Sequence, residues 1–314
     1  MPKHCFVLLL CCATGLSLCA QVQTKQRAYR REFSMVTEND AYLLAMRDAY
    51  YTNGLFLRWN VADTIAGDKL VRGFELGQSI YTPSSFAVTR PSDIDRPYCG
   101  YLYGRYSQTR FSPKKEGLWQ WSLSAGVVGK ASLGQALQEG YHKLFHYKRF
   151  EGWQYQIGNA LGLDAAVSGA FTLFNLPGVM KLVPQFEASL GLHNTYLRAG
   201  SLLVLGRFAP NDQSALFQAR VDRFRISPTE FFFYTQPQLC LQAYNATLQG
   251  GLLNTDPDAV TASPKTLVFQ QRTGLCFAQH HFTAKLEWVF QTRETASQHT
   301  NQQYGGIGLS YRMF

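Results

Sequence analysis

Charge is scarce in this 314-residue chain. Only 16% of its residues are Asp, Glu, Lys or Arg, well below the roughly 25% of an ordinary soluble domain. Combined with an aromatic content of 14%, this excludes disorder, which needs high charge and few aromatics. No fixed period runs through the chain, which excludes collagen and coiled coil. Long apolar runs are missing as well. Beyond the first 20 residues, no stretch of about 18 apolar residues escapes polar interruption, which excludes a helical membrane protein. Cysteine is sparse after residue 20. Cys99, Cys240 and Cys276 remain, odd in number, far apart and without CxxC spacing. Neither a disulfide framework nor a structural zinc site is expected from them. Each reads as a small hydrophobe on a strand. What is left is one β-rich, aromatic-rich domain with a net charge of +9.

Residues 1–20, MPKHCFVLLLCCATGLSLCA, read as a signal peptide. Lys3 gives the positive start, Phe6 to Leu10 open the apolar core, and Ala20 is small enough for cleavage. Leu18 is too bulky before Cys19 for a lipoprotein site. The domain expected after export is residues 21–314.

The informative pattern is alternation. Met180, Leu182, Pro184, Phe186, Ala188 and Leu190 alternate with Lys181, Val183, Gln185, Glu187 and Ser189. Trp119, Trp121, Leu123 and Ala125 alternate with Gln120, Ser122 and Ser124, and Leu55, Leu57, Trp59 and Val61 with Phe56, Arg58 and Asn60. Leu286, Trp288 and Phe290 repeat it against Lys285, Glu287 and Gln291. Side chains of a strand point to opposite faces in turn, so each run has an apolar and a polar face. Many runs reach the roughly 9–11 residues of a membrane-crossing strand. Lys, Glu, Gln and Arg would fill a sandwich core badly. In a barrel they face a wet interior while the apolar set faces lipid. Strands are expected over about 31–39, 52–62, 73–81, 98–111, 117–128, 154–172, 180–193, 195–208, 229–247, 265–279, 282–293 and 302–314. The fold class is therefore all-β, a 12-stranded antiparallel transmembrane β-barrel. An even number is what a closed single-chain bacterial barrel requires.

One segment is not strand. In 131–146, Leu133, Leu137, Tyr141, Leu144 and Phe145 recur at helical spacing, with Gln135, Gln138, Glu139, His142 and His146 opposite. A short helix is expected there, over the barrel mouth. With the N-terminus in the periplasm, the loops 40–51, 82–97 and 129–153 lie outside the cell and the shorter turns 63–72 and 112–116 within it. Asn39, Asp40, Thr52, Asp95, Arg96 and His142 then gather at the outer rim.

His is the natural base for activating water, because its unperturbed pKa of about 6.5 lies near working pH. Gln138 lies one turn before His142 on the same helix face and could orient the ring or the water. Asp40 offers a hard carboxylate and Asn39 an amide at a strand end. His142 and His146 at i, i+4 lack the HExxH pattern and a clear third ligand for zinc. Asn39–Asp40 also suits a plain turn.

The blocks FSMVTENDAYLLAMRDAYYTNGLFLRW, ELGQSIYTP, DRPYCGYLYG, and LQEGYHK followed by GWQYQ span roughly residues 33–156. In this order they resemble the lipid A 3′-O-deacylases of Gram-negative outer membranes. The resemblance implies calcium (Ca2+)-dependent hydrolysis of the ester that carries the 3′ acyloxyacyl chain. It implies lipid A, within lipopolysaccharide, as substrate, and an active site facing outward from the outer membrane. His142 takes the role of base, Asn39 and Asp40 the calcium site, and Thr52 an active-site hydroxyl. Arg96 is implied to hold a lipid A phosphate. Lys143 is a further substrate-binding candidate, with Glu151 beside it. A monomer with no nucleic-acid partner is expected.

Two rivals stand beside this reading. An outer-membrane phospholipase would want a His-x-Ser motif, and His142 is followed by Lys143 and Leu144. A non-enzymatic porin or adhesin predicts an open lumen and no polar cluster at one end.

Overall fold

The computed structural model describes residues 28–43, 49–65, 68–88, 90–112, 114, 116–146, 148–253 and 256–314. The expected signal peptide, 1–20, lies outside the described residues. The strands are β1 (Arg31–Asn39), β2 (Tyr50–Ile65), β3 (Asp68–Thr82), β4 (Cys99–Ser112), β5 (Gly117–Val128), β6 (Ala160–Phe171), β7 (Phe174–Leu176), β8 (Met180–Gly191), β9 (Asn194–Arg207), β10 (Glu230–Asn245), β11 (Leu267–Gln279), β12 (Phe282–Gln291) and β13 (Gln302–Met313). Two helices accompany them, α1 (Gly134–Phe145) and the single turn α2 (Ala246–Gln249).

All pairings between these strands are antiparallel and join sequence neighbours, except that β6 pairs with β8 and β1 with β13. The last pairing closes the cylinder, and β7 pairs only with β8. The result is a closed barrel of twelve strands, as the alternation predicts. Two boundaries differ from the sequence reading. β2 and β3 run on to Ile65 and back to Asp68, so the turn between them is tighter than 63–72. The start of the expected 154–172 strand is instead a 3-10 turn, Trp153–Tyr155. Gly152 enters that turn at φ +111°, a left-handed conformation that breaks extended backbone.

The two faces separate as the period demands. Phe33, Met35, Leu55, Trp59, Phe74, Leu76, Trp119, Trp121 and Leu123 are exposed on the outside. Inside, Glu75 holds Arg58, accepts a 2.7 Å bond from the Tyr103 hydroxyl, and lies 3.7 Å from Arg105. Arg272 bridges Glu38, at 3.3 Å, and Glu287. Charges with little water around them persist only when paired in this way.

The lumen is plugged at the end where β1 begins and β13 finishes. Residues 208–229, between β9 and β10, fold inward. Lys69 Nζ donates to the carbonyls of Asp212 and Ala219 at 2.6 Å each, and Lys285 Nζ to that of Ala215 at 2.8 Å. Ala215, Ala219 and Val221 of this segment pack with Val71, Phe111 and Phe232 of the wall, and with further wall residues, in an apolar core. Polar cavities of about 210, 300 and 400 Å3 remain in the lumen. The open lumen that a porin requires is not what this arrangement provides.

Candidate active site

Tyr51, Ser79, Tyr81 and Tyr101 line the upper lumen. Alternation therefore turns Gln78, Ile80 and Gly100, one step along, to the outer face of the wall. Gln78 and Ile80 are nonetheless buried. Their cover comes from the segment between β5 and β6, whose helix α1 packs against β3 and β4. Two glycines permit the contact. A Cβ on Gly100 would lie 2.1 Å from Ser132 Oγ and 3.0 Å from the Cα of Gly134, and one on Gly134 would lie 2.9 Å from the Cα of Gly100. The helix thus lies against the outside of the wall, not over the mouth as the sequence suggests. That side was illegible because the meeting of Gly100 with Gly134 is a long-range contact.

The helix is also turned inside out. Its polar residues Gln138 and His142 are buried, while Leu133 at its N-cap, Leu137 and Leu144 are between 53% and 71% exposed. In water the apolar ridge would seek the core. Here it points away from the protein, as a surface in contact with lipid does. The polar edge is tied down at its side: Gln135 donates to Glu139 at 2.9 Å, and Arg149 reaches the same carboxylate at 2.9 Å.

His142 Nδ1 contacts the carbonyl oxygen of Lys148. A carbonyl only accepts, so Nδ1 carries the proton. In the neutral ring the lone pair is then on Nε2, which sets His142 up as a base. Phe150 lies against the imidazole, with ring centroids 5.6 Å apart. Trp153 Nε1 donates to Gln138 Oε1 at 3.1 Å, which fixes that amide. Beneath lies an apolar floor of Ile80, Val88, Ile94, Tyr98, Phe150 and Trp153.

Asn39 ends β1 and pairs with Asn53 of β2 and Gly305 of β13. Its Oδ1 accepts from the N–H of Ala41 at 2.7 Å. Asp40 follows, 4% exposed, with Oδ2 accepting from Ala49 N–H at 2.7 Å. Thr52 is the extra residue of a bulge between Tyr51 and Asn53, where register with β3 shifts. Bulges re-aim side chains next to active sites, and this one lets the Thr52 hydroxyl donate to the Ile80 carbonyl at 3.3 Å. Asn39, Asp40 and Thr52 stand at the top of β1 and β2, and Gln138 and His142 on α1 against β3 and β4, the next two strands of the wall.

Other expected residues stand apart. Arg96 is fully enclosed and stacks on the lumen-facing Tyr81, its guanidinium carbon 4.0 Å from the ring centre. Glu294, Thr247 and the Pro97 carbonyl accept its N–H groups at 3.1–3.2 Å. Its environment is that of a clasp across the mouth. Lys143 is exposed on α1. Glu151 is exposed too, and its main chain takes the bonds, accepting from Tyr98 Oη at 2.6 Å.

One residue was overlooked. Gln78 is 6% exposed, and neither its Oε1 nor its Nε2 has a partner. Gln138 Nε2 and Thr82 Oγ1 are unpartnered as well. Each such group costs about 1–3 kcal/mol. The signal in ELGQSIYTP is a carboxamide at an outward position, with Leu76 and Ile80 beside it in the same phase.

Among the described residues no three His, Cys, Asp or Glu side chains gather as a metal cluster. Asp40 supplies one buried carboxylate, with the amide oxygen of Asn39 beside it in sequence. That donor set fits a hard cation that completes 6–8 oxygens with carbonyls, water and substrate.

The sequence matches the family described as "Outer membrane protein LpxR" over residues 7–313. The chain belongs to this family. LpxR from Salmonella typhimurium is similar in structure, with a TM-score of 0.74 at 20% identity, over 90% of this chain and 100% of that one. The β domain of the Bordetella autotransporter BrkA gives a TM-score of 0.45 at 10% identity, over 90% and 98% of the two chains. The translocator domain of NalP from Neisseria meningitidis gives 0.40 at 8%, over 93% and 90%. A comparison with curated protein sequences yields no match.

Proposed function

We propose that this LpxR-family protein is a lipid A 3′-O-deacylase, and that its active site is the cleft between α1 and the outer wall. One observation carries the reading: His142, on the wall-facing side of a helix with outward leucines, has its tautomer set by the Lys148 carbonyl. A base there stands where the ester of a lipid lying beside the barrel can reach it.

The chemistry follows from the side chains. His142 Nε2 takes a proton from a water, whose oxygen attacks the ester carbonyl. The tetrahedral intermediate expels the sugar 3′ oxygen, which takes that proton back from the imidazolium. The products are a free sugar hydroxyl and the acyloxyacyl acid. Gln138, steadied by Trp153, orients the water through its remaining amide hydrogens. Thr52, on its bulge, and Asn39 shape the wall opposite. Asp40 is the residue that would hold calcium, and the ion supplies Lewis-acid polarisation of the scissile carbonyl when bound. The active site faces the outer leaflet.

A glycerophospholipid would be the substrate of the rival enzyme. No serine follows His142 at the required spacing. The test is mass spectrometry of lipid A incubated with the detergent-purified barrel, with calcium and then with chelator. A calcium-dependent loss of the 3′ acyloxyacyl mass is expected. Deacylated phospholipid with intact lipid A would overturn the reading.

A further inference from the structure

Gln78 is an expensive residue to keep where it is. Its position on β3 faces outward, where Leu76 and Ile80, two residues to either side, are apolar. A Leu or Met at 78 would continue that stripe without desolvating anything. The carboxamide is more than nine-tenths buried, and neither of its ends is bonded. It lies on the wall that α1 covers, in the strand whose Ile80 accepts the Thr52 hydroxyl bond. Two more unsatisfied groups, Gln138 Nε2 and Thr82 Oγ1, belong to the same side.

A carboxamide differs from a hydroxyl or an ammonium in presenting a donor and an acceptor side by side. Its natural complement is a pair of neighbouring groups, one of each kind. An acylated amino sugar with an ester on the next carbon has that pair, an amide N–H beside an ester carbonyl. A glycerophospholipid has ester carbonyls and no such N–H.

We infer that Gln78 is a specificity-determining binding residue, accepting from the amide N–H of an N-acylated amino sugar and donating to the adjacent ester carbonyl. This rests on the cleft being the deacylase site and adds what the cleft reads: the amide next to the bond to be cut. A site built around a hydrogen-bonding substrate rejects analogues lacking the group, because its own buried polar atoms are then left unpaired.

The test is Gln78→Met, which keeps length and removes both polar ends. Binding is measured by titration calorimetry in detergent against two probes, a 2-N-acyl-3-O-acyl glucosamine lipid and a diacyl glycerophosphocholine. Ester hydrolysis of each is followed in parallel. Affinity for the amino-sugar lipid is expected to fall on the order of 10- to 100-fold, with that for the glycerophospholipid unchanged. The folded barrel, followed by its heat-dependent mobility shift on gels, is expected to be at least as heat-resistant as the original. Equal losses on both probes, or no loss on the amino sugar, would overturn the assignment. The underlying reading fails separately: a wild-type protein that binds the amino-sugar lipid through Gln78 but cleaves no ester refutes the deacylase and leaves this assignment standing.

Discussion

The plug and the cleft are both buried and both polar, yet they are built on opposite terms. In the plug, buried ions are surrounded by partners. Glu230 accepts from Ala209 N–H, Ala215 N–H, Ser214 Oγ and Arg220, at 2.7–3.0 Å. Lys181 Nζ donates to the Ala209 carbonyl and Asn211 Oδ1. Arg220 Nε and Ser227 Oγ of this segment lack a partner, but Glu230 and Lys181 are bonded on several sides, and such satisfied groups fix one arrangement of the chain. In the cleft, Gln78 and Gln138 keep hydrogen-bonding capacity that nothing in the protein uses. Glu230 and Lys181 thus hold a shape, while the two carboxamides of the cleft carry donors and acceptors that the fold leaves unused.

The hardest test of this division is His142→Gln. Hydrolysis of lipid A is expected to fall by about 10²–10⁴-fold, with the barrel unchanged in its heat-dependent mobility. An active His142→Gln protein would remove the cleft from the comparison. The counterpart in the plug is Glu230→Ala, which strands a buried Arg220. Breaking such a pair costs about 3–5 kcal/mol, to be read as a lowered urea midpoint, while hydrolysis at 25 °C stays within a factor of two or so. Coupled losses would show that the two regions are not independent. Next in size is Gly100→Val. Its side chain would meet Ser132 and Gly134 and lift α1 from the wall. A displacement of about 1 Å there is worth on the order of 100-fold in rate, and a shift in Trp153 emission should accompany it.

The smallest expected effect is one of pH. Burial by itself pushes the Asp222 carboxyl up. The N–H of Phe224, the Lys69 ammonium and the N–H and guanidinium of Arg225 outweigh it and hold the group below the usual carboxylate range. A depressed carboxyl stabilises the fold above its unfolded value, about 3.9, and that contribution is lost as pH falls through the folded value. Residues 208–229 should therefore gain hydrogen exchange below about pH 4 while the barrel strands stay protected. Equal protection of the segment at pH 3 and pH 7 would show that Asp222 does not secure it.

The strands were legible because each repeats its instruction every second residue: Trp119, Trp121 and Leu123 point one way, with Gln120, Ser122 and Ser124 between them. The sequence also offered His142, Gln138 and Asp40 as site candidates. Which side of the wall they occupy was not legible. It depends on a bulge at Thr52 and on two glycines, 34 positions apart in the numbering, that meet only in the fold. The plug was invisible for a related reason. Residues 208–229 have no period of their own, and their carbonyls are satisfied by lysines on distant strands. Arg96 shows the converse. Its residue type suits a phosphate, but its position beside Tyr81 was set by a strand face that no motif records.

The outward leucines of α1 make the surrounding medium a working part of the molecule. Water offers that ridge no welcome, so the pose of His142 against the wall is held from one side by glycine and from the other by hydrocarbon. In water the same ridge would be exposed, and the helix would lose the support of hydrocarbon on that side.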